Sequence, residues 1–176
     1  MLVTTMISVG DQLPNFKYTN RVAGEFVQLD LKKELAGKKV VIFGLPGAFT
    51  PTCSAYQLPG YEQMFSKFAD LGVDAIYVHS VNDPFVMNSW LDKLEVSNVR
   101  SLPDGNGDFA TLIGTLCQKR NVNFGPRSWR YAMVVEDNVV TNFSPEEGFC
   151  DNIEADPYEA SKPEAILKWL KNQSEE

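Results

Sequence analysis

The stretch KKVVIFGLPGAFTPTCSAYQLPG, residues 38–60, joins an apolar run to a segment that carries a cysteine. The apolar run, 38–46, is rich in β-branched residues and is bounded by glycine and proline, which predicts a buried central strand. In the segment that follows, 54–69, apolar residues recur at helical spacing, so we expect a helix that is kinked at Pro59. Cys53 therefore falls where a central strand gives way to a helix.

Strand-like and helix-like segments alternate along the rest of the chain without an internal repeat. Strand, helix, strand, helix, and then a hairpin and a helix is a thioredoxin-like order, so we predict a single α/β domain of thioredoxin fold over residues 1–176. The later predicted elements are a strand at 73–81, a helix at 84–94 capped by Asp83, a strand at 98–102, a helix at 109–118, two strands within 131–143 that turn at 136–138, and a C-terminal helix capped by Ser161.

Composition excludes several classes of function. The formal net charge of -7 leaves no basic patch to neutralise phosphates, so we expect no nucleic-acid partner. No apolar run is long enough to span a bilayer, and MLVTTMISVG lacks the features of a secretory signal. Three widely spaced cysteines and one histidine show no metal-ligand spacing and suit a reducing compartment, so we expect no metal and a cytoplasmic location.

The position of Cys53 indicates a reactive thiol. Open α/β sheets bind their ligands where strands end, and a helix start favours an anion, so a thiol there ionises more readily than a free one. Thr50 places a hydroxyl three residues before the sulfur, where it can bond a small polar ligand. The alternative is that Cys53 is a small buried residue without a reaction. Its location favours the reactive thiol.

Four segments of the sequence resemble those of one family. PGAFTPTCS, 46–54, closely resembles the active-site segment of the peroxiredoxins, which have a proline, a threonine and a cysteine in the order and spacing found here. VGDQLPNF at 9–16, SVNDPFVMNSW at 80–90 and RSWRYAMVVEDNVV at 127–140 look like segments of the atypical two-cysteine, or type II, branch. The resemblance covers almost the whole chain.

The resemblance implies a thioredoxin-fold thiol peroxidase that needs no cofactor and reduces hydrogen peroxide and organic hydroperoxides to water or alcohols. Cys53 would be the peroxidatic cysteine, and Thr50 would order the peroxide. Pro46 would shield the thiolate, and Arg130 would hold both thiolate and peroxide. The competing arginine is Arg127, which follows Gly-Pro in a predicted loop and does not match the family's register.

The reductant of the sulfenic acid left on Cys53 stays open at this stage. Cys150 lies near the place where animal members carry a resolving cysteine, whereas Val78 occupies the place used by plant-like members. Cys117 lies on the predicted helix 109–118 with apolar neighbours, which favours a core role. The two routes are thioredoxin acting through Cys150, and glutathione with or without glutaredoxin.

Two features depart from a simple peroxidase interpretation. Relatives commonly have a histidine where this chain has Gln57, which puts the local helix contacts in doubt. His79 raises the possibility of a Cys/His hydrolase with Cys53, although a structural histidine near a strand end is the simpler interpretation. A thioredoxin-like redox binding or chaperone module without peroxidase turnover is the other alternative, and it would leave Arg130 without a purpose.

The family also implies an assembly. Its members form a dimer contact with the loop that here carries Phe49 and with the loop after SVNDP, so a homodimer is expected.

Overall fold

The computed structural model describes residues 5–175 and forms one α/β domain. Its strands are β1 (Lys17–Val22), β2 (Glu25–Asp30), β3 (Lys39–Gly44), β4 (Ala75–Ser80), β5 (Arg100–Pro103), β6 (Leu116–Lys119), β7 (Gly125–Ser128), β8 (Tyr131–Glu136) and β9 (Val139–Pro145). Its helices are α1 (Leu31–Leu35), α2 (Leu58–Gln63), α3 (Phe65–Asp70), α4 (Pro84–Lys93), α5 (Asp108–Leu112) and α6 (Pro163–Ser174), with a π-helical turn at Cys53–Gln57 and a 3₁₀ turn at Arg120–Val122.

A five-stranded mixed sheet in the order β5-β4-β3-β8-β9 forms the centre of the domain. β3 runs parallel to β4 and antiparallel to β8, so that Ile42 lies between Tyr77 and Met133. The residues of β3 from Val40 to Gly44 are all buried, because this strand has a neighbour on each side and a core on each face. The predicted central strand is confirmed.

Alternate residues of β3 face two separate cores. Val41 and Phe43 pack with Cys53 against α2, α4 and α6, whereas Val40 and Ile42 pack against α1, α5 and the N-terminal segment. This period of two is the geometry of a strand, in which successive side chains point to opposite faces. The cysteine therefore has one defined face of the sheet beneath it.

Several local predictions hold. The strand predicted at 73–81 is β4, and the strand pair within 131–143 is the hairpin of β8 and β9, whose turn residues Asp137 and Asn138 both have positive φ. The Asp83 carboxylate accepts a hydrogen bond from the Val86 backbone, as expected of an N-cap before a proline. The hairpin of β1 and β2 was not predicted from the sequence.

The helix predicted at 54–69 is present, but it is divided in two. Residues 51–63 are helical without interruption, and the backbone widens into the π-helical turn at Cys53–Gln57 just before Pro59, which lies in the first turn of α2. The helix breaks at Met64, whose φ of -94° and ψ of 5° separate α2 from α3. The irregularity near Pro59 is therefore a π-helical turn, and the interruption of the helix lies five residues later.

Two other predictions are corrected. The helix predicted at 109–118 ends at Leu112, because Gly114 has a φ of +78° and a Cβ there would lie 2.5 Å from the Thr5 carbonyl oxygen. Cys117 consequently lies on β6, although it is buried as predicted. The N-cap of α6 is Lys162 and not Ser161, whose hydroxyl donates to the Glu146 carboxylate at 2.6 Å.

None of the helices within residues 5–175 has the length and apolar character needed to cross a bilayer. In the same residues there is no cluster of His, Cys, Asp and Glu side chains suited to a metal ion.

Candidate active site

Cys53 is the first residue of the π-helical turn and follows the loop that leaves β3. Its side chain is fully buried, at 0% exposure, in the core between the sheet and α2. The loop before it includes Phe49 with a φ of +66°, an uncommon conformation for a residue with a side chain. The thiol thus lies at the end of the loop that joins β3 to the helical segment, as the sequence predicted.

Arg130 contacts the thiol from the position immediately before β8, 77 residues further along the chain. Its Nη1 donates to Sγ of Cys53 at 3.4 Å and also to the side-chain oxygen of Gln57. Burial lowers the pKa of Arg130, but the charges of Cys53 and Asp156 outweigh burial and leave this pKa above its ordinary value. The guanidinium therefore stays charged beside the sulfur, which favours the thiolate form.

Arg130 and the first residue of β8, Tyr131, point to opposite faces of the sheet. Arg130 points to Cys53, whereas the ring of Tyr131 covers Gly44 on the other face. A Cβ on Gly44 would lie 2.1 Å from that ring, so only glycine leaves room for it.

Thr50 and Pro46 lie in the loop before the thiol. The hydroxyl of Thr50 donates to the Gly47 carbonyl at 2.6 Å, so its lone pairs remain available to accept a hydrogen bond from a ligand. Pro46 lines a small cleft together with Trp129, Arg130 and Asp156. The cleft thus places Pro46 beside Arg130, and Thr50 lies in the same loop, three residues before Cys53.

Comparisons with known proteins agree with this geometry. Residues 8–149 match the Redoxin family model. Peroxiredoxin y4vD of Sinorhizobium fredii is 54% identical over 136 residues, which cover 77% of this chain and 72% of that protein. The chain belongs to the peroxiredoxin family. Peroxiredoxins are thiol-dependent peroxidases, and so is this one; the fold, the family and the peroxidase activity predicted from the sequence are confirmed.

Solved peroxiredoxin structures extend the likeness to the whole domain. The reduced Prx3 of Vibrio vulnificus in complex with hydrogen peroxide has a TM-score of 0.88 at 36% identity, covering 97% of this chain and 100% of that one. The Plasmodium falciparum antioxidant protein, a 1-Cys peroxiredoxin, has a TM-score of 0.91 at 33% identity, covering 94% and 99%. Peroxiredoxin 5 from Alvinella pompejana, at 28% identity, has a TM-score of 0.77 and covers 95% and 99%, in accord with the type II branch.

Arg127 of this peroxiredoxin lies closer to the site than the sequence predicted. It lies on β7 and not in a loop, and its Nη1 and Nε donate at 3.2 Å to the carbonyls of Pro46 and Phe124. Burial lowers the pKa of Arg127, while the charge of Cys53 acts in the opposite direction. A Cβ on Gly47 would lie 2.7 Å from Nη1, so the glycine makes room for this arginine. Arg127 therefore shapes the loop, whereas Arg130 contacts the sulfur.

Gln57 takes a definite place in the site despite the doubt raised by the sequence. It is fully buried, and because arginine only donates, its amide oxygen must face Arg130. Its Nε2 and the Nε of Arg130 are buried atoms for which the described residues provide no partner. Gln57 thus helps to hold the guanidinium.

Asp156 is a site residue that sequence reasoning missed. Its carboxylate binds Nη2 of Arg130 at 2.6 Å, from the segment between β9 and α6. Burial raises the pKa of Asp156, but the Arg130 charge and nearby hydrogen-bond donors outweigh burial and lower it overall. No motif marks this aspartate among the neighbouring acidic residues, so the sequence gives no signal for it.

The histidine lies outside the site. His79 is fully buried, with Nδ1 at 2.8 Å from the Tyr131 hydroxyl and Nε2 at 2.8 Å from the Asp104 carboxylate. Its ring packs edge-on against Phe109 in the core on the face of the sheet opposite Cys53. The alternative of a Cys/His hydrolase is therefore wrong, and His79 is a structural residue as the simpler interpretation predicted.

The other two cysteines differ in their surroundings. Burial raises the pKa of Cys117 to about 11, which leaves this thiol protonated and unreactive. Cys150 is exposed. The segment after it is fixed to β6, because the Asp151 carboxylate accepts from the Gln118 backbone at 2.8 Å and the Asn152 backbone donates to the Gln118 carbonyl at 2.7 Å. Cys150 thus sits on an anchored segment.

Proposed function

We propose that Cys53 is the peroxidatic cysteine of this peroxiredoxin and that Arg130, Thr50 and Pro46 complete its active site. The observation that carries the proposal is the 3.4 Å contact between the charged guanidinium and a fully buried Sγ. Such a contact in a site shielded from water stabilises a thiolate, the form of cysteine that attacks peroxides.

The reaction at the sulfur transfers two electrons. The thiolate of Cys53 attacks the terminal oxygen of ROOH, an S–O bond forms, and the O–O bond breaks with its electron pair on the leaving oxygen. The sulfur becomes a sulfenic acid, and the departing RO⁻ takes a proton to give an alcohol, or water where R is hydrogen. Negative charge grows on the leaving oxygen as the bond breaks, and the N–H groups of Arg130 stabilise it.

Thr50 and Pro46 support this step in different ways. Since the Thr50 hydroxyl donates to the Gly47 carbonyl, it is oriented to accept the O–H of the peroxide and so to turn the terminal oxygen towards the sulfur. Pro46 lines the cleft beside Arg130, where its apolar ring would limit the access of water to the thiolate.

For the second half of the cycle we propose an external thiol, glutathione with or without glutaredoxin. Two observations support this route over thioredoxin acting through Cys150. The segment that follows Cys150 is anchored to β6, and a structural neighbour is described as a 1-Cys peroxiredoxin. One thiol displaces water from the sulfenic acid to form a mixed disulfide, and a second thiol releases Cys53.

Mass spectrometry after one equivalent of peroxide tests this route. We expect a sulfenic acid on Cys53 that persists without added thiol and becomes a mixed disulfide with glutathione. Cys150→Ser should turn over at the wild-type rate with glutathione and glutaredoxin. A Cys53–Cys150 disulfide in the monomer, together with loss of thioredoxin-dependent turnover in Cys150→Ser, would instead establish the intramolecular route.

We also propose that the chain forms a homodimer through the face beside the catalytic loop. Exposed aromatic side chains are concentrated there: Phe49, Phe85 and Phe26 are 52%, 56% and 61% exposed. The Ala48 backbone donates to the Asn82 side chain at 3.0 Å, so the loop of Phe49 lies beside the loop that leads into α4. Exposed apolar surface of this kind favours association.

Sedimentation velocity tests the assembly. We expect a dimer at micromolar protein concentration and a shift to monomer in Phe85→Asp, because burying an unpaired carboxylate is costly. Leu112→Asp, a matched change at a 51% exposed position on α5, should leave the dimer intact. A wild-type protein that is monomeric in both redox states would rule the homodimer out.

The cytoplasm is the compartment we propose for this peroxiredoxin, because its three cysteines are all free and the proposed cycle needs a reducing thiol pool. Cell fractionation that recovers the protein from an oxidising compartment would contradict this location.

A further inference from the structure

The Asp156 carboxylate connects the segment between β9 and α6 to the arginine that contacts the thiol. Its Oδ1 lies 2.6 Å from Nη2 of Arg130, whose side chain is only 3% exposed, whereas Asp156 itself is 45% exposed. The pair therefore lies at the mouth of the site. It is a short charge-assisted hydrogen bond to a buried guanidinium.

The segment that presents Asp156 is fixed at both ends. Before it, Asp151 and Asn152 are hydrogen-bonded to β6 and the 3₁₀ turn. After it, the buried carboxylate of Glu146 accepts hydrogen bonds from the backbone of residues 159–161 and from the Ser161 hydroxyl, at 2.6 to 3.0 Å. The position of Asp156 is thus built into the fold.

The same segment supports the guanidinium from a second direction. The ring of Tyr158 lies 5.7 Å from the Arg130 guanidinium carbon. Arginine is a long side chain with considerable rotamer freedom, and its planar guanidinium is oriented once two of its edges are fixed. Here Gln57 fixes the Nη1 side and Asp156 the Nη2 side, and Nη1 is thereby held towards Sγ.

We propose that Asp156 is a positioning residue of the peroxidase site: it orients Arg130 towards Cys53 and its negative charge offsets part of the arginine's attraction for the thiolate. The inference rests on the role assigned above to Arg130. Its two parts have opposite effects, since better orientation speeds the attack whereas the partial neutralisation makes the thiolate harder to form.

The charges around this pair are few. Arg130 and, further away, Lys119 face Asp156, with the Thr52 hydroxyl nearby. Arg130 and Arg127 face Cys53. Because Asp156 is the carboxylate in contact with Arg130, removing its charge leaves the thiolate beside an arginine with no anion other than the sulfur itself.

The test compares Asp156→Ala, which removes the hydrogen bond and the charge, with Asp156→Asn, which keeps an acceptor oxygen. We expect the rate constant of Cys53 with hydrogen peroxide to fall about tenfold in the alanine variant and to remain within about threefold in the asparagine variant. The thiolate absorbance of Cys53, measured against Cys53→Ser, should appear at lower pH in Asp156→Asn than in the wild type. Glu154→Ala, an exposed carboxylate in the same segment, should match the wild type in both measurements.

Three results would overturn the inference: a wild-type rate in Asp156→Ala, equal losses in the two Asp156 variants, or an unchanged thiolate titration in Asp156→Asn. A merely structural role would slow both variants alike without moving the titration to lower pH. If Asp156→Ala does not fold, the pH titration of the Cys53 thiolate in Asp156→Asn still tests the inference. Failure of the proposed active site is distinguishable, because Cys53→Ser or Arg130→Met would then still react with peroxide at the wild-type rate.

Discussion

Cys53→Ser is expected to abolish peroxide consumption by this protein. A serine hydroxyl fits the space of the thiol but does not ionise near neutral pH even beside Arg130, and an alcohol is a poor nucleophile towards O–O bonds. Since the change removes one reacting atom and keeps its neighbours, the loss should appear in the rate and not in the thermal unfolding temperature. Consumption of hydrogen peroxide under single-turnover conditions measures it directly.

Matched cysteine variants provide the control for this prediction. Cys150→Ser and Cys117→Ser should each react with one equivalent of peroxide at the wild-type rate. Cys150 is exposed and the segment after it is anchored to β6, whereas Cys117 is buried and protonated. Residual consumption by Cys53→Ser that disappears in a double variant would move the peroxidatic role to one of these thiols.

Arg130→Met should slow the reaction of Cys53 with peroxide by about 10²-fold or more, the scale found when a preorganised donor is removed from a developing negative charge. Methionine fills much of the same space but cannot donate to Sγ or to the leaving oxygen. By the relation between rate and barrier, the expected loss is about 2.7 kcal/mol of transition-state stabilisation. Stopped-flow measurement with hydrogen peroxide gives the rate constant.

Arg127→Met is the matched control for the arginine. It removes hydrogen bonds to the carbonyls of Pro46 and Phe124 but no contact with sulfur, so we expect a loss of about threefold or less. Thermal unfolding of both variants separates rate effects from stability, because Arg130→Met also leaves the buried oxygen of Gln57 without its donor. Equal losses of rate would mean that the two arginines share the catalytic role.

The sequence predicted the part of the structure that local pattern and motif determine. The β-branched apolar run before Cys53 predicts a strand that is buried on both faces. The family motifs predict that Arg130 lies at the thiol, although 77 residues separate it from Cys53 in the sequence. Pattern alone would not have brought these two residues together, because the spacing of residues along a chain does not reveal which ends of a sheet meet.

Other features depended on tertiary contacts that no local signal encodes. Asp156 contacts Arg130 because Glu146 binds the backbone that follows Asp156 and so fixes the segment between β9 and α6. Nothing in the sequence around Asp156 distinguishes it from the neighbouring acidic residues Asp151 and Glu154. The helix predicted through Cys117 is wrong for a local reason: Gly114 adopts positive φ and ends the helix, and the residues after it form β6.

The alternation at the start of β8 ties the register of this strand to both faces of the sheet. Arg130 and Tyr131 are neighbours that point to opposite faces, one to the thiol and the other to His79 and Gly44. A one-residue slip of this segment against β3 would exchange the two faces, placing a charged side chain in the far core and a ring beside the sulfur. The pairing of β8 with β3 therefore has one permitted register, which the reactive thiol and the opposite core require together.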